Sequence, residues 1–184
     1  MTDTRLSSRP DNIWRILGWG AALTLLIAPL IAMRFTTEVN WTASDFVFAA
    51  VLIGVPGLLF ELIVRTSRHW AFRLGAAIGL LACFFTVWSN LAVGIVGNED
   101  NPVNLLFFGI VLIALLGSAI ARLRPRGMMA AMIVTALAQG AVGLALLSTE
   151  VMVLPFTAIM VAAWLSAAAL FHRADQHESR TGEG

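Results

Sequence analysis

"GAAIGLLACFFTVWSNLAVGIVGNEDNP" (Gly75–Pro102) carries the pattern on which the fold turns. Gly75, Gly79, Cys83, Thr86, Asn90, Gly94 and Gly97 follow one another at spacings of 4, 4, 3, 4, 4 and 3. At about 100° per residue all seven fall within an arc of about 100° on one helix face. The positions between them are almost entirely apolar. Such a stripe of small and polar residues suits a helix inside a membrane bundle. Lipid gives helices no hydrophobic reason to associate, so close backbone approach and interhelical hydrogen bonds must hold them together. The rival reading is a stripe that lines a narrow pore or cavity.

The rest of the chain agrees with a membrane setting. Of 184 residues, 59% are hydrophobic and 12% charged, against about 45–50% apolar and about 25% charged in soluble domains. Six apolar segments, roughly 13–33, 44–64, 71–96, 103–121, 128–148 and 151–171, are each long enough to cross a hydrocarbon core of about 30 Å. The predicted fold is all-α, an integral membrane bundle of six transmembrane helices. A polar segment, 1–12, precedes the transmembrane domain, 13–172, and a flexible tail, 173–184, follows it. The first segment lacks a small-residue cleavage site and reads as an uncleaved anchor.

Arginine placement sets the orientation. Arg5, Arg9 and Arg15 precede the first helix; Arg65, Arg68 and Arg73 fill the second loop; Arg122, Arg124 and Arg126 fill the fourth; Arg173 and Arg180 lie in the tail. The third loop instead carries Glu99 and Asp100, and the fifth Glu150. This alternation places both termini in the cytoplasm and Asn98–Asn101 on the opposite side.

All twelve basic residues are arginine, and the chain has no lysine. A lysine Schiff base and a phosphate-binding lysine loop are thereby excluded. The net charge of +1 gives no reason to expect a nucleic-acid partner. The single Cys83 cannot form an intrachain disulfide. His69, His172 and His177 all lie at or beyond the cytoplasmic helix ends, which argues against haem ligation between helices. No zinc-protease, nucleophile-elbow or dithiol motif occurs, so no catalytic residue, cofactor or metal ligand is assigned and enzyme activity has no positive support.

Asp45, Asn90, Glu99, Asp100 and Asn104 form the candidate polar site. Asp45, in the first turn of the second helix, suits a helix cap or an outer-face cation or proton site. Glu61 stands four residues before Arg65, the favoured order for a helical ion pair. Asn101-Pro102 reads as an N-cap followed by proline at the first helical position, with Glu99 and Asp100 beside it in water. Asn90 lies about 10 Å below that hairpin. An amide buried in hydrocarbon needs partners, and Thr86 or a neighbouring helix is expected to supply them. Gln139 in the fifth helix has the same need. Pro29, Pro56 and Pro155 fall within helices, and Gly54-Val55-Pro56-Gly57 reads as a kink or a hinge.

"TTEVNWTASDF" (Thr36–Phe46), "VWSNLAVGIVGNEDNPVN" (Val87–Asn104) and "ARLRPRGM" (Ala121–Met128) resemble a family of small, uncharacterised bacterial polytopic membrane proteins. The resemblance spans roughly residues 34–172. It implies a bacterial inner-membrane protein with several spans and brings no activity or site residue with it. The expected partner is the lipid bilayer, with other membrane proteins and the oligomeric state left open. The leading functional expectation is a non-catalytic subunit or assembly partner. The alternative is a small transporter or channel component with an acidic outer mouth; an intramembrane enzyme or lipid-handling protein using Asp45 and Glu99 ranks last.

Overall fold

The computed structural model describes residues 10–67, 69–148 and 153–182. Arg5, Arg9, Arg68 and Glu150, and most of the polar segment 1–12, lie outside the described residues. The described chain forms six helices: α1 (Pro10–Ala32), α2 (Ala43–Thr66), α3 (Trp70–Ala92), α4 (Leu105–Ile120), α5 (Pro125–Leu146) and α6 (Val153–Thr181). A single 3₁₀ turn, Pro102–Asn104, leads into α4. All six segments are long and apolar enough to cross a membrane, and the chain is an all-α, multi-pass membrane protein.

The chain divides into two compact units, 1–58 and 59–184. In the first, Trp19 of α1 lies over Gly57 of α2, its ring 3.4 Å from where a Cβ would stand. Pro29 and Pro56 lie inside helices, and α2 runs uninterrupted through Gly54–Gly57.

In the second unit, α3 packs on α4 and α6, and α5 packs on α4 and α6, so four helices close a ring. The last turns of α2 join this unit, with Ile63 in its core. Arg73 ties α2 to α3: its guanidinium donates to the carbonyls of Val64 and Ser67 at 3.0 and 2.9 Å. Those carbonyls lie at the end of α2, where a cation suits the helix dipole.

The ring closes on small residues. Gly75 lies against the backbone carbonyl of Ala167 and the rings and chains of α6, and Gly117 against Ala131 of α5. Apart from Ala168, the buried positions of α6 are Val153, Thr157, Met160, Trp164, Ala167, Phe171 and Ala174. They alternate in steps of four and three, the seam of a helix packed lengthwise in a bundle. Around it, Phe72 and Phe171 meet edge to face at 5.1 Å, and Phe107 and Phe156 at 5.9 Å.

Two helix boundaries differ from the sequence expectation. α3 ends at Ala92, short of 96, because Gly94 and Gly97 take positive φ angles of 72° and 69°. Gly94 and Gly97 are therefore turn residues rather than the outer end of the helical stripe. α6 continues past 172 to Thr181, through residues expected to form a tail. Ala174 is fully buried there, and His177 brings its ring within 4.5 Å of His69. Burial and ring contact give these residues a packing face that their polarity conceals.

The closest approach in the ring is at Gly143, where a Cβ would stand 2.3 Å from the Thr157 side chain. Gly143→Ala therefore brings a steric cost of about 1–3 kcal/mol, which exceeds the gain of up to about 1 kcal/mol from replacing a helical glycine. At Gly140 the nearest atom is 4.0 Å away, so Gly140→Ala keeps that gain. Thermal unfolding in detergent should place Gly143→Ala below wild type and Gly140→Ala at or above it, with Thr157→Gly rescuing Gly143→Ala.

Candidate functional site

The α3–α4 connection is built around one side chain. Asn104 is buried, and its Oδ1 accepts from the N–H groups of Ile95 and Val96 at 3.1 and 2.9 Å. Its Nδ2 donates to the carbonyls of Val96 and Asn98 at 3.3 and 2.7 Å. Four backbone groups that have left the α3 ladder are thus satisfied by a single amide, as burial in an apolar setting demands. The loop can wrap Asn104 because Gly94 turns it back sharply. A Cβ at Gly94 would stand 2.3 Å from the Asn98 backbone. Asn101 caps the following turn, its Oδ1 accepting from Val103 N–H at 3.0 Å, with Pro102 at the first position. Glu99 and Asp100 are exposed at the tip.

Asp45 serves a cap of its own. Its Oδ2 accepts from the Thr42 N–H at 2.7 Å and the Thr42 hydroxyl at 2.8 Å. This is the backward half of a capping box, an acid three residues into the helix returning to the capping residue. Glu61 and Arg65 form the expected ion pair at 2.6 Å.

Asn90 stands apart from these groups. It is 2% exposed, and neither end of its amide has a hydrogen-bond partner among the described residues. Thr86, the expected partner, donates instead to the Ala82 carbonyl at 2.8 Å and approaches the Met160 sulfur at 3.7 Å. Gln139 is fully buried and likewise unpartnered at both amide atoms, as are the Thr157 hydroxyl and the Trp164 indole N–H.

Helix register brings three of these groups within about a turn of one another along the ring. Thr157 touches Gly143, and Gln139 lies one turn from Gly143 along α5. Thr86 meets Met160; from there Asn90 is one turn on along α3, and Thr157 about a turn on along the antiparallel α6. Asn90, Gln139 and Thr157 thus occupy about two turns of three helices, some 6 Å apart along the axis. They form a polar layer between the aromatic contacts of the two ring ends. Thr157 escapes sequence reading because it sits alone in an apolar run. Its signal is its place on the four-three seam of α6.

Of the sequence candidates, Gly75, Gly79, Thr86 and Asn90 lie on the buried face of α3, and Cys83 is half-buried beside them. Asn104 clamps the hairpin, Glu99 and Asp100 face out at its tip, and Asp45 belongs to the other unit. Among the described residues no three His, Cys, Asp or Glu side chains gather closely enough to hold a metal ion.

A cavity of about 370 Å3 lies at the arginine-bearing end of the ring, walled by Leu62, Ile63, Gly79, Cys83, Ala114 and Trp164 among others. No family model, curated protein or solved structure matches the chain.

Asn104 and Asn90 should respond oppositely to truncation. Asn104→Ala leaves four backbone groups without their partner and should cost about 3 kcal/mol, lowering the unfolding midpoint in detergent. Asn90→Ala removes an amide that no group among the described residues satisfies, so its midpoint should match wild type or exceed it. Equal losses at the two positions would mean that Asn90 is bonded as Asn104 is.

Proposed function

We propose that the chain is a non-catalytic multi-pass subunit or assembly partner in a bacterial inner membrane, with both termini in the cytoplasm. The observation that carries this reading is how its polar side chains are employed. Asp45, Asn101 and Asn104 complete caps and a loop, and the ligand-sized cavity in the second unit is walled almost wholly by apolar groups. Groups consumed in holding backbone are poorly placed to serve as acid, base or nucleophile. The orientation rests on arginine placement: Arg65, Arg73, Arg122, Arg124 and Arg126 flank the second and fourth helix connections, the bias expected of cytoplasmic loops.

A second reading has one observation in its favour. Among the described residues Asn90, Gln139 and Thr157 are buried and unpartnered, and helix register puts them within about a turn of one another along the ring. A polar guest passing through the bundle would find donors and acceptors there, as a small transporter or channel component requires.

One preparation separates the two. Solubilised gently from native membranes, a subunit migrates with a partner at fixed stoichiometry, well above its 19.8 kDa, and the isolated chain in liposomes passes no more solute than empty liposomes. A lone monomer whose liposome flux falls in Asn90→Ala would support the transporter component and overturn the subunit reading.

A further inference from the structure

The cavity at the arginine-bearing end has a chemistry that none of the preceding roles uses. Its walls come from the last turns of α2, from Gly75 to Cys83 of α3, from Ala114 to Leu123 at the end of α4, and from α5 and α6. Gly75 to Cys83 and Ala114 to Arg122 each span eight residue steps, so the cavity runs about 12 Å along the helices. At about 370 Å3 it lies at the small end of ligand pockets, about 300–1,000 Å3. Its lining is mostly apolar; Ser118 and Cys83 interrupt it, and Arg122 adds the one charged side chain among the described lining residues.

The backbone there is unusual. Arg122 and Leu123 have φ angles of 50° and 59°, the left-handed region that glycine enters freely and other side chains rarely adopt. A chain leaving a helix in this conformation usually carries glycine. Here an arginine and a leucine occupy it, and both line the cavity. Such strain persists where the side chains themselves are required. Among the described residues the Arg122 side chain has no hydrogen-bond or ion-pair partner. The site therefore offers a cation unpaired among the described residues beside a mostly apolar slot of about 370 Å3, too small for two acyl chains.

We infer that this cavity binds an anionic glycerophospholipid, one acyl chain entering between α3 and α4 and the phosphate pairing with Arg122. Charge complementarity at Arg122 selects the head group, and the dimensions of the slot select a single chain. The pairing asks nothing of the subunit or transporter reading and stands or falls separately from both.

The test is photocross-linking of the full chain in nanodiscs, with a phosphatidylglycerol carrying a diazirine near the end of one acyl chain. Peptide mapping should place adducts within 75–83 and 114–119, and unlabelled phosphatidylglycerol should compete about fivefold better than phosphatidylcholine, the preference expected of one arginine near a phosphate. Arg122→Lys should keep that preference. Arg122→Gly relieves the backbone strain and should fold at least as well as wild type while losing the preference. Ser118→Phe, which fills the slot, should lose the adducts altogether while its unfolding midpoint shows that it remains folded. Adducts confined to outward-facing side chains, equal competition by the two lipids, or an undiminished preference in a folded Arg122→Gly would overturn the assignment.

Discussion

Hydrocarbon offers no water to a polar group, and this constraint orders the structure. Every N–H, carbonyl, amide or hydroxyl inside the bundle must find its partner within the protein. Most do so locally. Thr86, Ser118 and Thr135 return their hydroxyls to carbonyls one turn back, at 2.7–2.8 Å. The α3–α4 connection, where the helical ladder is broken, is repaired by Asn104, which both donates and accepts. A hydroxyl could not have done this, having one donor to offer where two carbonyls need one each. Among the described residues Asn90, Gln139, Thr157 and the Trp164 indole are exceptions, and the first three lie within about a turn of one another along the ring, which makes them one feature rather than three defects.

The same constraint explains where the small residues go. Helices in lipid gain little from burying leucine, since leucine is as well solvated outside, so their association depends on contact distance. Gly75 against Ala167, Gly117 against Ala131 and Gly143 against Thr157 bring three of the four neighbouring pairs in the ring close. The larger side chains, Phe72, Phe107, Trp164 and Phe171, then fill what remains. At the arginine-bearing end the filling stops short, and the slot beneath Arg122 is left between α2, α3 and α4.

Much of the architecture was legible in the sequence, because hydropathy over twenty residues is a strong signal. The six spans, the Asn101-Pro102 cap and the buried face of α3 from Gly75 to Asn90 follow from composition and periodicity. The end of α3 was not legible. Gly94 and Gly97 keep the helical spacing by coincidence, and it takes the backbone to show that they turn. The role of Asn104 was hidden because its partners are main-chain groups six to nine residues away, which leave no trace in side-chain pattern. α6 beyond His172 was hidden by polarity, since the contact of His177 with His69 is tertiary. Of the candidate polar residues, the sequence rightly singled out Asn90 as buried and misassigned its neighbour: Thr86 bonds its own helix.

The central claim is that α3 and α6 face each other across the polar layer, with Thr86 against Met160. Paired cysteines test it directly. In a Cys83→Ser background, Thr86→Cys with Met160→Cys should form a disulfide rapidly under mild oxidation in membranes. Phe85→Cys, at an outward-facing position, paired with Met160→Cys should not. A failure of the first pair to link, or equal linking by both, would contradict the arrangement and with it the polar layer that depends on it.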